Sequence, residues 1–204
     1  MDSIEGFILV GGASRRMGTD KARLTLNGLS FVERIAGEVS QITDSISVVG
    51  DATTSPSNNL RSVPDVYPRW GALGGVHAAL SACSAEYALI VACDFPFVTN
   101  QLFRRMAGLR DDFDAVAPIQ NDQIPQPLCA LYRIEACLPV AAHMIKSGER
   151  KPIALLQSVR TRWVPFHELS DLEGADHFFD NINTPEDYAR IVEKGFGSRD
   201  AVMK

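Results

Sequence analysis

Phe7-Ile8-Leu9-Val10-Gly11-Gly12-Ala13-Ser14-Arg15-Arg16-Met17-Gly18-Thr19-Asp20-Lys21 is the stretch on which the reading of this chain turns. An uninterrupted apolar run, residues 7–10, passes directly into two glycines, two arginines, a third glycine and a lysine. Such a run fits a strand buried on both faces of a parallel sheet. Gly11 and Gly12 let backbone N–H groups approach a ligand without interference from a Cβ. Arg15 and Arg16 offer forked donors suited to phosphate oxygens, and Lys21 adds a point charge. The pattern therefore suggests a phosphate-binding loop at a strand end, with a tight turn and a solvated basic patch as the plainer alternative. Two common phosphate loops are excluded. In a P-loop the lysine follows glycine directly, whereas Gly18 is followed by Thr19-Asp20-Lys21. A dinucleotide fingerprint needs a residue between its first two glycines, and Gly11-Gly12 has none.

Outward from this loop, strand and helix patterns alternate. Ser30-Phe31-Val32-Glu33 is a capping box, and the helix it opens sets Val32, Ile35, Val39 and Ile42 on one stripe. Strands are expected at 45–49, 60–63, 87–92, 112–118, 129–132 and 162–166, with helices at 76–82 and about 136–146. Residues 87–92 form the most apolar run and should be the central strand, delivering Cys93-Asp94 at its carboxyl end. Thr184-Pro185-Glu186-Asp187 has the residues of a helix start. The fold class is α/β: three layers, α/β/α, around a mostly parallel sheet. One domain is expected over residues 1–204, with a flexible tail after about 195. Sheets of this kind bind ligands at the carboxyl ends of their strands, where the opening loop, Asp65 and Asp94 would converge.

Composition narrows the class. A net charge of −5 argues against a general nucleic-acid binder, so any anion must be met by local cations such as Arg15, Arg16, Lys21 and Arg23. The four cysteines form no C-x-x-C pair and read as free thiols in a reducing compartment. No run is long enough for a signal peptide or a membrane span, so a cytoplasmic protein without membrane contact is expected. His77, His143, His167 and His177 lack metal-ligand spacing.

With Met17-Gly18-x-Asp20-Lys21 included, the opening loop resembles that of GT-A-like nucleotidyltransferases. Within them it is most similar to the molybdenum cofactor guanylyltransferase family, departing from the usual pattern mainly at Val10. The resemblance runs along nearly the whole chain. Asp65 is followed by Gly71-Ala72-Leu73-Gly74-Gly75, with alanine in place of the usual proline. Cys93-Asp94-Phe95-Pro96-Phe97 is similar to the family's metal motif. Gln126-Pro127-Leu128-Cys129-Ala130-Leu131-Tyr132 and Asn181-Ile182-Asn183-Thr184-Pro185-Glu186-Asp187 follow in the family's order. Gly50 stands where some members carry a ligand-contacting asparagine, and no role is carried over to it.

The resemblance implies a Rossmann-like nucleotidyltransferase fold and transfer of GMP from GTP to the terminal phosphate of molybdopterin. Magnesium is the implied cofactor, with Asp94 as its ligand. Arg15 and Lys21 would contact the triphosphate, with Arg16 as a surface residue. Leu9, Val10, Gly11 and Gly12 would present backbone to the base, and Asp65 would accept from guanine or ribose. Gly74 and Gly75 would allow close approach near the sugar, or else mark a helix entry. Asn181 and Asn183 either meet the pterin-side substrate or the metal, or order the final helix. Arg150 and Lys151 read as a solvated loop, and Trp70 as a packing residue. Transient contacts with the proteins that make or receive the cofactor are also implied. A cytidylyltransferase, a sugar-1-phosphate nucleotidylyltransferase and a non-catalytic nucleotide-binding regulator remain as alternatives.

Overall fold

A computed structural model of the chain describes residues 3–10, 25–50, 60–182, 187 and 188. Gly11, Gly12, Arg15, Arg16, Lys21, Arg23 and Asn183, together with the helix start at Thr184, lie outside these residues.

The apolar runs form a seven-stranded sheet. In chain order its strands are β1 (Ile4–Leu9), β4 (Ile46–Val49), β5 (Arg61–Val63), β6 (Tyr87–Ala92), β7 (Ala115–Pro118), β8 (Cys129–Arg133) and β9 (Thr161–Val164). Two short strands, β2 (Thr25–Leu26) and β3 (Leu29–Ser30), pair separately as a hairpin. Across the large sheet the order is β5-β4-β1-β6-β8-β7-β9. β1 is parallel to β4 and β6, and β4 is parallel to β5. β8 runs antiparallel to both β6 and β7, while β9 returns parallel to β7. The sheet is thus mostly parallel with one reversed strand, and β6 is buried at every residue beside β1.

Alternation along the strands sorts the core into two layers. Ile8, Val10, Val48, Leu89 and Val91 pack with Val32, Ile35 and Val39 of α1 (Phe31–Val39) and with Leu102, Phe103 and Met106 of α3 (Asn100–Gly108). Phe7, Leu9, Val49, Ala88 and Ile90 face the other side, towards α2 (Ala72–Ala82), α4 (Ile134–Lys146) and α5 (Pro152–Ser158). Gly6 keeps the first interface close: a Cβ there would lie 2.4 Å from Val39 Cγ1. No helix among the described residues is long and apolar enough to cross a membrane.

Several local expectations shift. α2 begins at Ala72, not Val76, so Gly74 and Gly75 lie inside its first turns. β9 ends at Val164 because Pro165 has no N–H for the ladder, and residues 166–168 form a 3-10 turn instead. α3 and α5 are additions to the sequence reading, as is the β2–β3 hairpin. The hairpin is turned by Asn27 and Gly28, both at positive φ (54° and 79°), the signature of a two-residue turn that matches strand twist.

The capping box forms as expected. Ser30 Oγ accepts from Glu33 N, and Glu33 Oε2 accepts from Ser30 N at 2.8 Å. The Ser30 hydroxyl also donates to Glu33 Oε2 at 2.7 Å, and this bond together with that from Ser30 N holds the Glu33 carboxyl below its ordinary pKa of 4.5. Ser30→Ala should cost about 1 kcal/mol at neutral pH, read by urea denaturation. Because the folded pKa of Glu33 is lowered, its charge-assisted share is complete above the unfolded pKa. It fades as pH falls through the folded value. The wild-type advantage over Ser30→Ala should therefore shrink in acid.

Candidate active site

Parallel strands bring their carboxyl ends to one edge. Val10 follows β1, Gly50 follows β4, Asp65 lies two residues beyond β5, and Asp94 lies two residues beyond β6. Adjacent strands are about 4.8 Å apart, so the ends of β5 and β6 are roughly 14 Å apart, with β4 and β1 between them.

Backbone bonds lock this edge. Val10 N donates to Val49 O at 2.9 Å, Cys93 N to Leu9 O at 3.0 Å, and Gly50 N to Val63 O at 3.1 Å. The side chains of Leu9 and Val10 are buried on opposite faces of the sheet. What this pair can offer a ligand is therefore backbone, of which Val10 N and Leu9 O are already bonded within the sheet. Gly50 has φ +130°, and a Cβ on it would stand 2.0 Å from the Val10 carbonyl oxygen. Only the absence of a side chain lets β4 turn away beside the root of the opening loop.

Asp94 is half-buried between buried Cys93 and buried Phe95. Phe95 N donates to Ala92 O at 3.2 Å, and Val98 N to Phe95 O at 3.4 Å. Arg34 Nε reaches Pro96 O at 3.4 Å. The apolar residues of this loop thus anchor the backbone that carries the carboxylate. Among the described residues no group of three or more His, Cys, Asp or Glu side chains could hold a metal. A single carboxylate suits magnesium, which keeps water and takes substrate phosphate oxygens as further ligands.

Asp65 is exposed, yet the protein crowded against its carboxyl raises its pKa by desolvation. Its loop is clamped at a second point. Trp70 N donates to Tyr67 O at 3.1 Å, and Trp70 Nε1 to Glu149 O at 2.9 Å. The Arg150 guanidinium lies 4.5 Å from the Trp70 ring centroid. Trp70 is therefore a packing residue, and Arg150 belongs to the same clamp. Glu149 accepts from the backbone N–H of Arg150 and Lys151, which lowers its pKa. His77 packs edge-on against Tyr67 with ring centroids 5.1 Å apart, and burial lowers its pKa. It behaves as a neutral core histidine.

The glycines of α2 serve packing. A Cβ on Gly74 would meet Trp70 Cβ at 2.9 Å, and one on Gly75 would sit 3.6 Å from Leu9 Cδ1. The smallness of Gly74 seats the helix start against the Asp65 loop, while a Cβ on Gly75 would make only ordinary contact with the end of β1.

Ile182 and Tyr188 of the C-terminal region pack against the hairpin and the loop after Asp94. Ile182 is wholly buried with Leu26, Phe31 and Phe97. Tyr188 Oη donates to Thr25 O at 2.6 Å. Asn181 is exposed on the segment so anchored. Phe179 meets Phe95 edge-on at 5.8 Å, so this segment rests against the residue that follows Asp94. The Gln126–Tyr132 motif supplies β8 and its entry: Leu128 O accepts from Ala92 N at 2.7 Å, and Tyr132 Oη donates to Pro127 O at 2.6 Å.

Two concavities lie away from this arrangement. One of about 660 Å³ lies between α1 and the start of α3, beside Glu33, Glu38 and Thr99. A second of about 390 Å³ lies beyond β7 and β9. Neither is lined by Val10, Asp65 or Asp94. The strand-end edge is identified by converging chemistry, not by depth.

Residues 6–162 match the MobA-like NTP transferase domain. This chain is a member of the MobA-like NTP transferase family. Among its relatives, a probable molybdenum cofactor guanylyltransferase from Pelotomaculum thermopropionicum is 33% identical over 195 residues, covering 95% of this chain and 94% of the relative. A molybdenum cofactor guanylyltransferase from Desulfosudis oleivorans is 32% identical over 190 residues, covering 92% of this chain and 93% of the relative. The crystal structure of molybdopterin-guanine dinucleotide biosynthesis protein A from Archaeoglobus fulgidus superposes with a TM-score of 0.79 at 27% identity, covering 94% of this chain and 98% of that one. The MobA-like chain is accordingly a nucleotidyltransferase, and its mostly parallel sheet is a nucleotidyltransferase fold.

The Cys93 thiol of this MobA-like protein donates to Asp94 Oδ1 at 3.9 Å, whereas Cys129 lies on β8 and Cys137 on α4. All three are buried, and burial pushes the Cys137 thiol up to about 12. No thiolate nucleophile is available from it at neutral pH.

Proposed function

We propose that this chain transfers GMP from GTP to the terminal phosphate of molybdopterin, releasing pyrophosphate. The observation that carries the reading is the placement of Asp94 just beyond β6, beside the end of β1, with Cys93 N bonded to Leu9 O at 3.0 Å. This brings Asp94 close to Val10, from which the opening loop departs. The names of the relatives support the choice of guanine and molybdopterin.

An oxygen of the acceptor phosphate attacks the α-phosphorus of GTP. A new P–O bond forms as the α–β bridging P–O bond breaks, and its electron pair leaves with pyrophosphate. The attacking phosphate is already ionised, so no general base is required, in keeping with the neutral, packed His77. Asp94 would hold Mg²⁺, which would supply neutralising charge to the phosphates when bound. Arg15 and Lys21 lie in the opening loop and add charge against the departing pyrophosphate. Asp65 accepts from guanine or ribose, and its clamped loop keeps that acceptor in place. The backbone at Leu9, Val10, Gly11 and Gly12 presents polar groups to the base edge, where a wrong base would leave them unpaired.

Calorimetric titration with GTP, CTP and ATP, each with Mg²⁺, tests the assignment. GTP should bind at least tenfold more tightly than either competitor. Preference for CTP would move the enzyme to cytidylyl transfer, and equal affinity for all three would remove the base-reading role of Asp65.

A further inference from the structure

The turn that follows Asp65 holds a residue its own geometry disfavours. Tyr67-Pro68-Arg69-Trp70 is closed by Trp70 N donating to Tyr67 O at 3.1 Å. Proline at the second place and a positive φ at the third mark a type II turn, whose third place suits glycine or asparagine. Here that place is taken by Arg69, at φ 64°. A long side chain in the left-handed region costs stability, and such outliers gather where a side chain has a ligand to meet. Asn27, also at positive φ, is by contrast a residue that tolerates this region.

The turn itself has no use for the guanidinium. Its backbone is held by the Tyr67 bond, by Trp70 Nε1 on Glu149 O at 2.9 Å, and by Arg150 Nη1 donating to Arg69 O at 3.3 Å. The Arg69 side chain is exposed, and its guanidinium has no hydrogen-bond or ion-pair partner among the described residues.

Position narrows the ligand. β4 and β1 separate β5 from β6, so the Asp65–Arg69 loop stands on the flank away from Asp94. With the phosphates gathered between Asp94 and the opening loop, this flank receives the nucleoside. A carboxylate and a guanidinium in one loop complement guanine on two edges. Asp65 can accept from N1–H and the 2-amino group, while Arg69 can donate as a fork to O6 and N7. Adenine places an amino group where guanine has O6, so the same fork would meet a donor.

We propose that Arg69 is a specificity-determining residue that reads O6 and N7 of guanine. This rests on the function proposed above. The strained arginine is kept at a glycine place because glycine there would leave that edge of the base unread.

The test is titration of the full chain and of Arg69→Gly with GTP, 7-deaza-GTP and CTP, each with Mg²⁺. Arg69→Gly gives the turn the residue its geometry favours, so the variant should melt no lower than wild type. Wild type should bind GTP roughly tenfold more tightly than 7-deaza-GTP, which lacks the N7 acceptor. In Arg69→Gly the two should bind alike, with GTP itself weakened by roughly tenfold or more. A purely structural role would weaken both nucleotides together and leave their ratio unchanged, which would overturn the proposal. A lower melting temperature in Arg69→Gly would overturn its premise that the turn does not need the side chain. A wild type that prefers GTP to CTP yet binds 7-deaza-GTP equally well would remove Arg69 alone and keep the guanylyl reading. Preference for CTP would remove both.

Discussion

Asp94→Asn is expected to lower turnover by about a thousandfold while leaving the fold intact. The substitution preserves shape but removes the one protein charge proposed to hold the metal. A thousandfold corresponds to about 4 kcal/mol of lost transition-state stabilisation, the size seen when a positioned electrostatic group is deleted. Because Asp94 is half-buried in a turn anchored by its neighbours, stability should change by no more than about 0.5 kcal/mol. Pyrophosphate release under saturating GTP would measure the first effect, and thermal unfolding the second. Full activity in the variant would remove Asp94 from the site.

Gly50→Ala should produce the largest loss of stability. The new Cβ would lie 2.0 Å from the Val10 carbonyl oxygen, and both partners are backbone, so no side chain can rotate aside. The φ of +130° adds strain for any residue with a Cβ. Together these should cost about 4 kcal/mol. In a chain of this length that lowers the melting temperature by roughly 8–15 °C. Relief requires Val10 to move, so the KM for nucleotide should rise in whatever fraction stays folded. A variant that melts with wild type would show that the β4 turn tolerates a side chain.

Much of this was legible in the chain itself, for reasons that differ from place to place. The central strand pair β1 and β6 shows as unbroken apolar runs, because burial on both faces leaves no room for polar residues. The Ser30–Glu33 capping box was readable because its bonds are local. Orientation was not: β8 pairs with strands that precede it by many residues, and nothing in Cys129–Arg133 states its direction. α3 has a threonine before its first turn, and Leu102, Phe103 and Met106 form only a narrow apolar stripe, easily lost among its charges. Asp65 and Asp94 could be named from sequence, but the hold on their loops could not. The Trp70–Glu149 bond joins residues 79 apart, and the burial of Ile182 against Leu26 and Phe97 spans most of the chain. The cavity beyond β7 and β9 was equally hidden, since it is assembled from three separate loops.

The seating of Ile182 bears on how the protein comes into being. During synthesis, β1, β4, β5 and β6 emerge first, and with them both Asp65 and Asp94. The wall carrying Phe179 and the anchor at Ile182 emerge well after, and Ile182 must find partners made early, at Leu26 and Phe31. A nascent chain can therefore assemble the β5-β4-β1-β6 half of its sheet before the opposite side is closed. Closure of that side waits for residues 179–182, so a chain released before them would carry Asp65 and Asp94 but lack the Ile182 anchor.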